Sequence, residues 1–479
     1  MRARNASRQK LGIMPSATVV WILSCLVVPS LIALPASAAT LQAGGAQVDI
    51  TPPPGLPMYG YFDRLTKHEV ATGTLDPLYA RVLVLEGGGK RVALVTLDLG
   101  RTFDESWLDR LRNTAKQTSH IDELIVTASH THSGPNILDV YPDGHPPAWQ
   151  SVILAKVADT IRQAVLNLQP VRLGTGYGVA HVGYNRRQVN ADNSVTMLWS
   201  NPGKTPTTPV DATVSVVRVD GLDGTPLAIL VNYACHPVVF GADNLQYSAD
   251  YVAAMVDTVE AAFPGKPMCL FLQGADGDIN PYYATTPIDG GAVQKRDWTG
   301  RELGMEVVRV AKAIQPTAST ASLDFADDVI AFSLRWAPPK FHDDLLRVDG
   351  PLVFQDHAGR MDASPPPSGL ALHLTTLLIN KQIAIVGMPG EPFVDFQINL
   401  RDRCPVRDCL LLGYTNGYFD YFPTILAASQ GGYGAGDSNT YISVGAGERM
   451  LDHAVIRIYQ MLGELSPVPA SENDTRPAR

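Results

Sequence analysis

Apolar and polar residues alternate along two pairs of short runs, and turn-forming residues break each pair. Residues 79–85 and 92–97 flank Gly87-Gly88-Gly89, and residues 213–219 and 227–233 flank the segment 221–224. Period-two alternation around turn glycines predicts two antiparallel hairpins. Apolar positions three and four apart predict amphipathic helices over residues 105–118, 152–168, 251–263, 301–314 and 448–462, and the apolar run 124–128 between two of them reads as a strand. Strands and helices mixed in this way predict an α/β protein with mixed parallel and antiparallel sheets flanked by helices. No internal repeat and no compositional break divides residues 41–465, which are expected to form one large domain. Two stretches dense in Pro, Asn, Asp and Gly, residues 185–209 and 337–369, read as long surface loops of the kind that carry function, and residues 466–479 as a frayed tail.

The N-terminus changes the picture of where the chain works. Arg2, Arg4, Arg8 and Lys10 precede an apolar run over residues 17–34 and the small-residue triplet Ala36-Ser37-Ala38. This is the layout of a cleavable signal peptide over residues 1–38, with cleavage after Ala38. Pro29 inside the run and the small residues after it argue against a membrane anchor, and the mid-run position of Cys25 argues against a lipoprotein. The mature protein is therefore expected to be secreted or periplasmic, with no stable membrane insertion. At 479 residues, 45% hydrophobic and 18% charged, the chain has ample material for a large core. A net charge of -9 without a Lys/Arg cluster leaves no field for a phosphate backbone, so nucleic acid is not an expected partner. Beyond the leader stand Cys235, Cys269, Cys404 and Cys409. Cys404 and Cys409 are close enough for a local disulfide clip. Cys235 and Cys269 lie in apolar runs and read equally as buried thiols or as a bridge. The absence of a CxxC pair argues against a thiolate zinc site.

Candidate chemistry concentrates where apolar runs end. Residues 125–128 lead into Ser129-His130-Thr131-His132-Ser133-Gly134-Pro135, and continued alternation would place His130 and His132 on one face at a strand end. His236 closes a second apolar run and is stopped by Pro237; Glu391 follows a third, over residues 383–386. Imidazoles and a carboxylate at strand ends are plausible metal ligands. Each also has a plainer reading: a surface histidine pair, a core histidine, and a glutamate serving a helix N-terminus. Ser133-Gly134-Pro135 lacks the acidic residue and histidine of a metallo-β-lactamase pattern. Gly274-Ala275-Asp276-Gly277-Asp278 lacks the spacing of an EF-hand and reads as a tight turn.

In this order, the segments resemble the neutral, non-lysosomal ceramidase family from Gln47-Val48-Asp49-Ile50-Thr51-Pro52 to about Gly447. The most specific piece is His-Thr-His-Ser-Gly-Pro. Asn185-Arg186 resembles the family's Asn-Arg motif, Gly277-Asp278-Ile279-Asn280-Pro281 its Gly-Asp-x-Ser-Pro, and Pro389-Gly390-Glu391 its Pro-Gly-Glu. Asn416-Gly417-Tyr418-Phe419-Asp420-Tyr421 resembles its tyrosine-ligand segment, and Tyr433 continues the match.

The resemblance implies Zn²⁺ at the strand ends, held by His130, His236, Glu391 and Tyr421, with His132, Arg186 and Tyr433 around the substrate. A zinc-activated water would attack an amide carbonyl, with His132 and Tyr433 donating to the oxyanion. The implied partner is a small-molecule or lipid N-acyl substrate such as ceramide. For Arg186, and for its neighbour Arg187, an ordinary surface arginine is the competing reading. Two departures stand out. Asn280 occupies the serine position of Gly-Asp-x-Ser-Pro, and the resemblance covers only the catalytic domain, without the family's C-terminal β-sandwich. Both shift the expected substrate away from long-chain ceramide. A zinc-dependent hydrolase of a non-sphingolipid ester, lactone or amide would use the same ligands, whereas an exported binding protein would need them to be vestigial.

Overall fold

A computed structural model describes residues 40–138, 141, 145–317, 321–336, 369–436 and 440–466. The expected leader, residues 337–368 of the second expected loop and the tail from residue 467 lie outside them. The runs that alternate around glycines pair as their period requires. Strands β1 (Gln42–Asp49), β2 (Tyr79–Gly87), β3 (Lys90–Leu97), β4 (Glu123–Ala128), β5 (Gln169–Val179), β6 (Thr213–Gly221), β7 (Pro226–Tyr233) and β8 (Met268–Gln273) form one sheet in the order β8-β7-β6-β5-β1-β2-β3-β4. Within it β3/β4 and β7/β8 are parallel, and the remaining pairs antiparallel. A second sheet holds β9 (Leu323–Ser333), β10 (Gly369–Ile379), β11 (Ile383–Gly387) and β12 (Asp408–Leu412), of which β11/β12 are parallel.

Alternation along these strands sorts their side chains into layers. Leu83, Leu85, Leu94, Ile125, Leu230, Leu270 and Leu272 of the large sheet pack against Leu377, Ile379, Ile383, Ile385, Leu410 and Leu412 of the small one. The alternate residues along each strand turn the other way, toward helices. On the large sheet these are α1 (Glu105–Ser119) and α2 (Ala148–Leu166) over one half, and α3 (Tyr251–Ala261) and α4 (Ala292–Ala313) over the other. Helices α5 (Val394–Arg403) and α6 (Ala446–Leu462) cover the small sheet. The result is four layers, helix–sheet–sheet–helix, with each buried Leu or Ile contributing roughly 1.5–3 kcal/mol. Polar pins cross between the sheets: the Asn232 amide donates to the carbonyls of both Leu272 and Leu411, each at 2.9 Å.

The expected α/β class with mixed sheets is what forms, with differences in detail. Helix α1 starts where Asp104 accepts from the Trp107 amide. Helix α4 begins nine residues before the expected 301, because Gln294, Lys295, Arg296 and Asp297 in its first turns hide the apolar period. Residues 185–209 are not a plain loop: Gly183–Asn185 pairs with Ile279–Pro281, and Arg187–Val189 with Val195–Met197, in strands too short to show a period. The expected Cys404–Cys409 clip is absent as a bond, since all four described cysteines are free thiols. Cys235 and Cys269 are buried apart, with the Cys269 sulfur 4.0 Å from that of Met255. Among the described residues no helix is long and apolar enough to cross a membrane.

Candidate metal centre

The C-terminal ends of β4, β7, β8, β11 and β12 converge on one edge, where backbone contacts tie the two sheets together. Gly413 donates to the Gln273 carbonyl, Asn416 to that of Val126, and Thr127 bridges Thr415. Each loop leaving this edge delivers one part of the site: His130 and His132 after β4, His236 after β7, Asp276 after β8, Glu391 after β11, and Tyr414 to Tyr421 after β12.

His130 and His132 do meet, but not by strand alternation. Strand β4 ends at Ala128, and His130 adopts φ +66, a left-handed conformation that turns the chain and brings the two imidazoles to 4.7 Å between centroids. The His130 Nδ1 lies 2.6 Å from the Gly100 carbonyl, and the His236 Nδ1 lies 2.6 Å from that of Asp276. A carbonyl only accepts, so both rings carry their proton on Nδ1 and turn a bare Nε2 inward. The ring nitrogens of His130, His132 and His236 lie within 4.8 Å of one another. Glu391 completes the group, with Oε2 3.3 Å from His236 Nε2 and 3.7 Å from His130 Nε2.

This arrangement is electrostatically incomplete on its own. His236 Nε2 and Glu391 Oε2 are buried, face each other and have no hydrogen-bond partner. Burial pushes His130 down to about 3 and His132 well below the usual imidazole value, so both rings are uncharged at neutral pH and keep one N–H each. Burial also works against the Glu391 charge, yet the facing imidazoles and the Tyr418 hydroxyl hold its carboxyl at about 2. Facing lone pairs on His236 Nε2 and Glu391 Oε2, beside a His130 Nε2 that meets His132 Nε2 at 3.1 Å, are a donor set a divalent cation satisfies, and N/O ligands of this kind suit Zn²⁺. The residues present therefore fit a metal ion.

The other expected residues gather beside this cluster. Tyr421 is paired with Glu391 in a two-residue parallel ladder, and its hydroxyl accepts from Arg186 Nη2 at 3.0 Å. Arg186 is buried, contrary to the surface reading, and also donates to the Gly277 carbonyl at 2.7 Å and to Asn280 Oδ1 at 3.3 Å. Arg187 is buried as well and donates to the Gly431 carbonyl. Tyr433 lies against the Tyr421 ring at 5.4 Å and the half-exposed Trp199 at 5.3 Å, with the Arg186 guanidinium 5.3 Å from its ring. The helix-terminus role considered for Glu391 belongs instead to Asp278, whose Oδ1 accepts from the Val394 amide.

Several residues that shape the site carry no signal readable in the sequence. Tyr59 and Tyr61 hold the His132 ring between them at 5.5 and 5.1 Å. Gly60, at φ +99, lets the chain pass where a Cβ would stand 2.3 Å from His132 Cγ and Nδ1. Arg64 is fully buried and donates all five N–H groups to backbone carbonyls, those of Tyr59, His132, Gly241, Ala242 and Asn244. Asp276, expected only as part of a tight turn, backs His236 with Oδ2 at 3.3 Å.

A family model described as neutral/alkaline non-lysosomal ceramidase, N-terminal, matches residues 41–287. The neutral ceramidase of Mycobacterium tuberculosis (strain ATCC 25618 / H37Rv) is 22% identical, over 77% of this chain and 69% of that protein. The crystal structure of neutral ceramidase from Pseudomonas aeruginosa superposes with a TM-score of 0.70 at 17% identity, covering 90% of this chain and 75% of the other. A structure of a ceramidase complexed with C2 gives a TM-score of 0.72 at 18% identity, covering 91% of this chain and 78% of the other. The family match spans more than half of the chain and contains His130, His132, Arg186, His236 and Asn280, and on that ground the chain belongs to the neutral/alkaline non-lysosomal ceramidase family.

Proposed function

We propose that this chain is an exported zinc-dependent amidohydrolase that cleaves the amide bond of ceramide or a related N-acyl lipid. Residues 1–38 serve as its leader and residues 41–465 as its catalytic domain, acting in a secreted or periplasmic setting. The observation that carries the chemistry is the buried, unpartnered pair His236 Nε2 and Glu391 Oε2 at 3.3 Å, beside the bare Nε2 of His130. Family membership, and the ceramidase names of the relative and both structural neighbours, support the substrate class.

His130, His236, Glu391 and Tyr421 hold the cation. When bound, Zn²⁺ supplies Lewis acidity, polarising an acyl carbonyl and making water acidic enough to ionise near neutral pH. His132, clasped between Tyr59 and Tyr61, and Tyr433 stand beside the cluster as donors to the acyl oxygen as its negative charge develops. Arg186 orients Tyr421 through Nη2 and retains a buried Nε–H without a protein acceptor, a donor for a hydroxyl or anionic oxygen of the substrate. Asn280 steadies Arg186 through Oδ1, so the residue in the family's serine position acts on the arginine that meets the substrate.

The test is metal analysis of the purified protein, coupled to chromatographic assay of ceramide, short-chain N-acyl amines and matched esters. About one zinc per chain is expected, and His130→Ala or His236→Ala removes metal and turnover while the circular dichroism spectrum stays the same. Full hydrolysis by metal-free protein would sink the proposal. Ester or lactone turnover in place of amide turnover would move the reading to the second class of hydrolase.

A further inference from the structure

The segment from Tyr414 to Asp420 has an unusual backbone for a stretch with large side chains. Tyr414, Asn416 and Asp420 have φ values of 51°, 54° and 52°, three left-handed non-glycine residues within seven positions. Such a run persists only when its surroundings over-determine it, and here they do. The Asn416 amide group donates to Thr375 Oγ1 of the small sheet, its Oδ1 accepts from the Val126 amide of the large one, and its own backbone N–H donates to the Val126 carbonyl. The same segment grips the backbone around Glu391 from both sides. Tyr414 N–H donates to the Gly390 carbonyl at 2.9 Å, and the Glu391 N–H donates to the Asp420 carbonyl at 2.8 Å.

Two side chains of this segment, Tyr414 and Tyr418, turn toward the cluster. Tyr418 donates to Glu391 Oε1 at 2.6 Å, leaving Oε2 to face His130 and His236, and its own oxygen accepts from Tyr59 at 3.0 Å. The Arg101 guanidinium lies 4.7 Å from the Tyr418 ring. Tyr414 stacks on His130, with centroids 4.2 Å apart and planes 20° apart, and donates to Asp276 Oδ1 at 2.8 Å; the other oxygen of that carboxylate faces His236 Nδ1. Tyr414 and Tyr418 are themselves nearly parallel, 6.2 Å apart. Each of the three groups that converge at the centre is therefore touched by one of two tyrosines, directly or through one carboxylate.

We propose that Tyr414 and Tyr418 are positioning residues of the metal centre: Tyr418 fixes which oxygen of Glu391 meets the cation, and Tyr414 fixes the plane of His130 and holds the Asp276 carboxylate in place behind His236. The proposal rests on the metal-centre reading above. Hydrogen-bonded groups behind the ligands set both the orientation and the donor strength of a metal site, and losing one typically weakens metal binding about 10- to 100-fold.

The experiment uses Tyr418→Phe and Tyr414→Phe, which keep the rings and remove one hydroxyl each, with Tyr177→Phe as control. Tyr177 donates to Asp408 Oδ1 at the start of β12, the end of that strand remote from the cluster. Zinc affinity is measured by chelator competition, the visible spectrum after Co²⁺ substitution reports ligand geometry, and metal-free thermal unfolding reports stability. Both variants are expected to bind zinc about 10- to 100-fold more weakly with an altered Co²⁺ spectrum, while KM for substrate stays near wild type and the control matches wild type. Wild-type zinc affinity and spectrum in both variants would overturn the proposal. If Tyr418→Phe does not fold, Tyr59→Phe reads the same chain of hydroxyls one step further out, where a smaller loss of affinity supports the proposal and none overturns it. A wild-type protein that takes up neither Zn²⁺ nor Co²⁺ overturns the metal reading and this proposal together, whereas a normal wild type with indifferent variants overturns only the proposal.

Discussion

Substituting Gly60 by alanine adds one methyl group at the most crowded point beside the candidate centre. The new Cβ would stand 2.3 Å from Cγ and Nδ1 of His132, against about 3.5–4.0 Å for ordinary carbon contacts. The imidazole must therefore retreat by over an ångström, but Tyr59 and Tyr61 flank it and Arg64 holds its backbone carbonyl. The backbone resists as well, since φ is +99 at this position and a non-glycine residue there is strained by about 1–3 kcal/mol. Overpacking adds about 1–3 kcal/mol, so Gly60→Ala is expected to lose about 2–6 kcal/mol in denaturant unfolding. Displacing a group at the reacting centre by this distance is expected to lower kcat/KM on a soluble short-chain N-acyl substrate about 10²-fold. The decisive measurement is a double-mutant cycle with His132→Ala. Removing the imidazole opens space for the methyl but leaves the φ strain, so the two losses should fall short of additive by about 1–3 kcal/mol. Additive losses, or a Gly60→Ala protein as stable and active as wild type, would refute this account of His132 placement.

Arg64→Met strips five carbonyls of their donor and should cost at least about 3 kcal/mol by urea unfolding, with Arg64→Lys recovering only part of it. Asp328 on β9 meets Arg457 and His453 of α6; burial works against its charge, but their hydrogen bonds hold its carboxyl at about 2. A depressed acid stabilises the fold above its unfolded value of about 4 and loses that contribution as pH falls through about 2. Asp328→Asn should therefore flatten this part of the acid-unfolding curve and lower stability at pH 7, and a curve unchanged from wild type would contradict the assignment. Asn280→Ser removes the Oδ1 acceptor of Arg186, and is expected to shift the ratio of ceramide to short-chain amide turnover while zinc content stays constant; an unchanged ratio would mean that Asn280 does not set specificity.

The two hairpins and five of the helices were legible because their periods are long: nine residues of β2 or fifteen of α1 repeat the apolar spacing often enough to be read. Three-residue strands such as Arg187–Val189 offer no period, and the polar opening of α4 hides one. Among the site residues, His130, His236 and Glu391 were readable because each follows an apolar run that stops abruptly, and the structure does bring them together. The mechanism expected for His130 and His132 was wrong in its cause, since a left-handed turn rather than strand pleating sets their proximity. The roles of Tyr59, Arg64, Tyr414 and Tyr418 were not readable, although Tyr418 lies in the segment that resembles the family's tyrosine motif. Their importance comes from contacts across as many as 359 residues of chain, as between Tyr59 and Tyr418, and nothing local distinguishes such a tyrosine from one buried only for its apolar ring.

The proposed ligand set is divided between the two sheets: His130 and His236 leave the large one, and Glu391 with Tyr421 leaves the small one. A nascent chain that has reached residue 300 thus owns the nitrogen half of the centre and none of its oxygen half. Before Asn232 and Asn416 have fastened one sheet to the other, the imidazoles have no carboxylate opposite them and no tyrosine behind it. On the proposed metal reading, a cation could reach all four of its ligands only once the two sheets have docked, so tight metal binding would report on that docking.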